Sequence, residues 1–173
     1  MTRFNFSAAR EEAEDKYNLG KGQYFKVKEG ANKIRLVSEC LAHPGEFQGK
    51  PTFKWLCQVI DRRDNKVKPY FMPDKIYKAI CNLQLDPEYA FEEVPMPYDI
   101  NIQAVNAGKM DVVYSVIPAR QSIALTGAEL EAIKEAPSVQ DLQAKVREND
   151  EKNQNNPAQI VNDNLPNPAD VPF

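Results

Sequence analysis

Between residues 23 and 117 the apolar side chains fall mostly at every second position, in short runs broken by glycine, proline and polar turns. A period of two belongs to strands with one face buried, and a succession of such runs confines the chain to a largely β domain. Residues 23–28 alternate, with Phe25 and Val27 on one side and Tyr24, Lys26 and Lys28 on the other; Gly30 breaks the run. Residues 32–39 alternate again, Ile34 and Leu36 against Lys33 and Arg35. Residues 52–62 make the longest strand candidate, and residues 66–72 follow across Arg63-Asp64-Asn65, a sequence suited to a hairpin turn. Residues 98–105 and 112–117 supply two more strands, joined by Asn106-Ala107-Gly108-Lys109.

A helix interrupts the series. Pro73-Asp74 opens it, and Ile76, Ala79, Ile80 and Leu83 follow at helical spacing before Pro87 closes the region. Thr126 caps a further helix carrying Leu130 and Ile133, and Ser138 caps another carrying Leu142 and Val146. Residues 7–17 read as a short polar helix with Ser7 as its cap. From residue 32 on, after the run at 23–28, the core order of strand, strand, strand, helix, strand, strand is that of the five-stranded OB-fold barrel. At 173 residues the chain has room for one well-buried domain. The expected organisation is an N-terminal helical arm over residues 1–22, a mostly β OB-fold domain (β-β-β-α-β-β) over 23–147 with peripheral helices, and a flexible acidic tail over 148–173. The tail follows from composition: after Asn149 the chain turns to Asn, Gln, Pro and Asp, too little apolar surface to offset the entropy of ordering.

Charge is sorted along the chain. Residues 21–78 hold 13 Lys or Arg against 6 Asp or Glu, whereas residues 79–173 hold 6 against 15, so the net charge of −3 conceals a cationic body and an anionic remainder. What a phosphate meets is the local field, so the acidic total does not exclude a nucleic-acid partner. No apolar run is long enough to span a bilayer, and the N-terminal residues lack a signal-peptide core, so a cytoplasmic location, that of a bacterial host cell, is expected.

The chemical inventory argues against catalysis. His43 is the only histidine, no glycine-rich phosphate loop is present, and Asp61 and Asp64 flank Arg62 and Arg63 in a pattern typical of a solvated hairpin tip. Cys40, Cys57 and Cys81 are three separated cysteines. Cys40-Leu-Ala-His43 has ligand-like spacing, yet Cys57 and Cys81 sit in apolar strand and helix patterns where a free thiol packs as a small hydrophobe, so neither metal nor cofactor is expected.

Binding chemistry fits better. Single-stranded nucleic acid needs cations for its phosphates and flat rings on which bases stack. Within residues 21–78 the basic residues interleave with Tyr24, Phe25, Phe53, Trp55, Tyr70, Phe71 and Tyr77. Strand parity groups Tyr24 with Lys26 and Lys28, Lys33 with Arg35, and Lys66 with Lys68 and Tyr70, each set facing away from apolar neighbours. The candidate binding residues are these together with Lys54, Trp55, Arg62, Arg63 and Tyr77. Trp55 shares parity with Phe53, Cys57 and Val59, so core and stacking platform both stay open for it; Tyr114 shares its face with Val112 and Val116 and reads as core.

Residues 23–136 resemble the OB-fold single-stranded DNA-binding proteins of tailed bacteriophages and prophages. The resemblance rests on Val27-Lys28-Glu29-Gly30-Ala31-Asn32-Lys33-Ile34-Arg35, the strand entry at Phe53 and Trp55, Lys66-Val67-Lys68, the helix from Ile76 to Leu83, Asp86-Pro87, Tyr98-Asp99-Ile100 and Tyr114-Ser115-Val116-Ile117-Pro118. It implies a non-enzymatic protein that coats and protects single strands during DNA replication, recombination and repair, with self-association on DNA as a possibility. Asp170-Val171-Pro172-Phe173 is similar to the acidic Asp-Ile-Pro-Phe ending of bacterial single-stranded DNA-binding proteins, which implies docking of replication and recombination partners through those residues. Two alternatives use the same barrel: an RNA-binding protein or nucleic-acid chaperone, and a protein-binding replication adaptor.

Overall fold

The structure, a computed structural model, describes residues 24–154. Six strands form one antiparallel sheet: β1 (Gly30–Leu36), β2 (Leu41–Phe47), β3 (Lys50–Asp61), β4 (Lys66–Met72), β5 (Ile100–Val105) and β6 (Val113–Pro118). Three helices accompany it: α1 (Asp74–Leu85), α2 (Gly127–Glu135) and α3 (Val139–Gln154).

The long strand β3 organises the sheet. One of its edges pairs with β4 along residues 55–61. The other pairs with β1 over Val59–Asp61 and with β2 over Lys50–Leu56, so β1 and β2 follow one another along the same side. β1 continues the sheet to β5, and β5 to β6. Among the described residues no ladder joins β4 to β6, and the sheet does not close. Residues 24–28 and α1 occupy that side instead. The Phe25 N–H donates to the Pro69 carbonyl at 2.8 Å, and its ring meets Tyr70 edge-on with centroids 4.9 Å apart. α1 packs against both β3 and β6, and its Ile76 and Ile80 are buried in the core.

The main core lies on one face of the sheet, where Ile34, Leu36, Val59, Met72, Ile100 and Ile102 meet α1. The other face of β3 is covered too. Leu56 packs with Val139 and Leu142 of α3, and the Gln58 side chain donates to the Pro137 carbonyl in the α2–α3 connection. Burial on both faces explains the nearly unbroken apolar run from Trp55 to Ile60. The two helices begin at the predicted caps: Thr126 and Glu129 exchange hydrogen bonds in a capping box, and the Ser138 hydroxyl accepts from the Asp141 N–H at 3.1 Å.

The structure corrects the sequence expectation at three places. Residues 23–28 were expected to form a strand; residues 25–28 lie outside any ladder. β2 was not foreseen, because Pro44 and Gly45 interrupt its pattern; it is an edge strand, where a proline costs no ladder bond on its open side. α3 runs on to Gln154, so residues 148–154, assigned to a flexible tail, are helical. The helix expected at residues 7–17 lies outside the described residues, and the described helices include none long and apolar enough to cross a membrane.

Candidate functional site

Several predicted binding residues belong to the folded framework. Arg35 is 1% exposed; its Nε donates to Asp99 at 2.7 Å and its guanidinium also reaches the Ile123 carbonyl. Arg62 donates to the same Asp99 carboxylate at 3.1 Å and pairs with Glu129, fastening α2 to the β3–β4 turn. Arg63 and Lys68 converge on Asp61, at 2.8 and 2.9 Å. Burial pushes the Asp61 carboxyl up, but hydrogen bonds from Arg63 and Lys68 outweigh it and hold the group down at about 2.

Tyr70 is 3% exposed, and burial, then the neighbouring Cys57, drives its hydroxyl well above the ordinary phenol range. It cannot be a surface stacking platform. Lys66, Lys68 and Tyr70 share one face of β4, as their strand parity predicts. That face, however, lies opposite Asp61, Val59 and Cys57 and looks inward. Lys68 escapes the core only by reaching to the carboxylates of Asp61 and Asp64.

Trp55 and Tyr77 form a pair at the core's rim. Their rings stack with centroids 3.8 Å apart and 15° between planes, and the indole N–H donates to Asp74 at 3.0 Å. Trp55 is therefore half-buried and has one face taken by protein. Lys33 is exposed, 3.8 Å from Asp99, and Lys28 and Lys66 are exposed with no ion pair among the described residues.

Tyr24, Lys26 and Lys54 do come together. They line a cleft of about 450 Å³ with Phe71, Tyr114 and Gly108 of the β5–β6 loop. Tyr24 stacks on Phe71, centroids 5.4 Å apart and planes at 21°. The cleft adjoins a larger one, about 850 Å³, in which Lys54 and Phe71 are joined by His43, Phe53, Val146 and Asp150. Lys54 and Phe71 thus stand in the walls of both, giving one groove that runs from the β5–β6 loop past the end of β4 to the β2–β3 hairpin. Among the described residues neither Lys26 nor Lys54 has a carboxylate partner, whereas His43 faces Asp150 at 3.9 Å.

The groove's loop is positioned by Glu29, whose carboxylate accepts from the N–H groups of Asn106 and Ala107 at 3.1 and 2.7 Å. Gly108 has φ of +79°, a conformation that favours glycine, so the loop turns tightly there. The entry segment is held by Asn32, which accepts from Lys28 N–H at 2.8 Å and donates to the Lys28 and Ile102 carbonyls.

Comparison with family models, with curated proteins and with solved structures finds no match. The geometry alone speaks for the site. It offers half-buried aromatic rings beside cations without protein partners, which suits flat, anionic ligands.

Phe71, Tyr114, Phe53 and His43 are groove residues that the candidate set omitted. Phe53 and Phe71 were visible as aromatics within the basic segment, but nothing local distinguished them from core. Cys40 and His43 do not meet as ligands: Cys40 packs on the core side, while His43 lies against Phe71 on the other face, rings 5.4 Å apart. Among the described residues no group of three or more His, Cys, Asp or Glu is arranged to hold a metal ion. Residues 170–173 lie outside the described residues.

Proposed function

We propose that the protein binds single-stranded DNA without sequence preference, through the groove bounded by Tyr24, Lys26, Lys54 and Phe71. The observation that carries this reading is the stacked Tyr24–Phe71 pair beside two lysines that have no partner among the described residues. Bases stack on exposed ring faces for about 1–3 kcal/mol each, whatever their identity, and lysines neutralise the backbone. Duplex DNA keeps its bases inside and gains only the charge contribution.

The fold supports the reading as well. β1 and β2 act together as one bent strand along β3, so the order reduces to five strands with α1 between the third and fourth, the arrangement of an OB-fold barrel. Residues 24–28 and α1 stand where such a barrel would close. The resemblance to phage single-stranded DNA-binding proteins leads to the same proposal, with strand coating during replication and recombination as the role. Docking of partner proteins through residues 170–173 is proposed on sequence resemblance alone.

Titration of fluorescently labelled oligo-dT and of the matched ribo-oligomer tests the reading. Saturable binding to oligo-dT that weakens steeply with salt is expected. Absence of binding to both would end it, and a preference for the ribo-oligomer would make the ligand RNA.

A further inference from the structure

Two cysteines meet where β1 gives way to β2. From Leu36 to Leu41 the edge advances five residues, while its partners on β3, Val59 and Leu56, lie three apart. The two extra residues make a kink. The β2–β3 ladder ends at Leu41 opposite Leu56, and continuing its register by one residue brings Cys40 to Cys57. Opposed Cα atoms in an antiparallel ladder are about 4.5–5.5 Å apart, inside the roughly 4.4–6.8 Å that a disulfide spans. Both cysteines pack in the same core cluster; Cys57 is fully buried and Cys40 partly exposed.

We propose that Cys40 and Cys57 form a reversible dithiol, closed to a disulfide by low-molecular-weight disulfides such as oxidised glutathione. The Cys40 thiolate attacks one sulfur of the reagent, forming a mixed disulfide and expelling one thiolate. The Cys57 sulfur, giving up its proton, then attacks Cys40 Sγ and expels the second thiolate. The protein loses two electrons and two protons, and the reagent becomes two thiols. The order is set by access, since Cys40 is partly exposed and Cys57 is buried. The Cys57 thiol, which donates to the Tyr70 carbonyl at 3.7 Å, is also held protonated, by the neighbouring Cys40 and by burial. Cys81 of α1, which is partly exposed and neighbours Tyr77 as Cys40 does, is expected to stay reduced, since no strand register brings it to Cys57. Closure would staple the kink to β3 at the root of the hairpin that carries Phe53 and Lys54.

The test treats the full chain with oxidised glutathione and combines thiol titration with peptide mapping by mass spectrometry. The expected product has lost two hydrogens, carries a Cys40–Cys57 link and retains one of its three thiols; dithiothreitol restores all three. Cys40→Ser should leave Cys57 unmodified in the folded protein. A persistent glutathione adduct on Cys40, a Cys40–Cys81 link, or three thiols still free after treatment would each overturn the proposal. None of these outcomes depends on nucleic-acid binding, so the groove stands or falls separately.

Discussion

The ring of Tyr24 lies over that of Phe71, 5.4 Å between centroids, at the mouth of the groove. Tyr24 is half-buried and outside any strand, so its removal disturbs little of the fold. Tyr24→Ala is expected to lose about 1–3 kcal/mol of oligo-dT affinity with an almost unchanged melting temperature. Phe71→Ala should lose affinity and stability together, because Phe71 also packs against the cluster of Leu56, Val139 and Leu142. Fluorescence titration and thermal melts of both variants check this.

Lysines in the groove and lysines in the framework should part company in salt. Lys26→Ala and Lys54→Ala are each expected to reduce the slope of log affinity against log salt by about 0.7, the contribution of one single-strand phosphate. Lys68→Ala should leave the slope as it is and lower the melting temperature, since Lys68 is committed to Asp61 and Asp64. A flattened slope for Lys68→Ala would return it to the binding surface.

How much of this was legible in the sequence follows from what covers each strand. The alternation in residues 32–39, 52–62 and 66–72 located β1, β3 and β4, and the caps Thr126 and Ser138 located α2 and α3. Alternation reports two faces but not which one is wet. On β4 the face with Lys68 and Tyr70 turned inward, opposite Val59 and Cys57 of β3, while Lys66 at the strand's start stays exposed. Arg35 looked like a solvent-facing cation on β1, yet Asp99 and the Ile123 carbonyl, 64 and 88 residues away, enclose it. No local pattern signals contacts at that separation. Tyr24, Lys26 and Lys54 were legible because they lie on or beside sheet margins, which α3 approaches only on the Lys54 side through Val146 and Asp150.

Arg35 should therefore behave as a structural residue. Arg35→Ala breaks a buried ion pair and is expected to cost about 3–5 kcal/mol of stability, nearer the lower figure because Arg62 still bonds to Asp99. Urea denaturation measures it. Full stability with lost DNA binding would contradict the assignment.

Asp61 makes the fold sensitive to acid. Its carboxyl is lowered from the ordinary 3.8 to about 2 in the folded protein, held there by Arg63 and Lys68 against the cost of burial. A group whose folded value is depressed stabilises the fold above its unfolded value, and that stability is lost as pH falls toward the folded one. The loss should fall between about pH 4 and pH 2. Asp61→Asn is expected to be less stable at neutral pH and to show a flatter stability profile across that acid window, as followed by urea midpoints at several pH values.

The central claim is that half-buried rings, and not charge alone, hold the ligand. Competition between oligo-dT and duplex DNA of equal length, at one salt concentration, tests it most directly. Stacking at the Tyr24–Phe71 platform predicts at least about tenfold tighter binding to the single strand. Equal affinity for the two would contradict it.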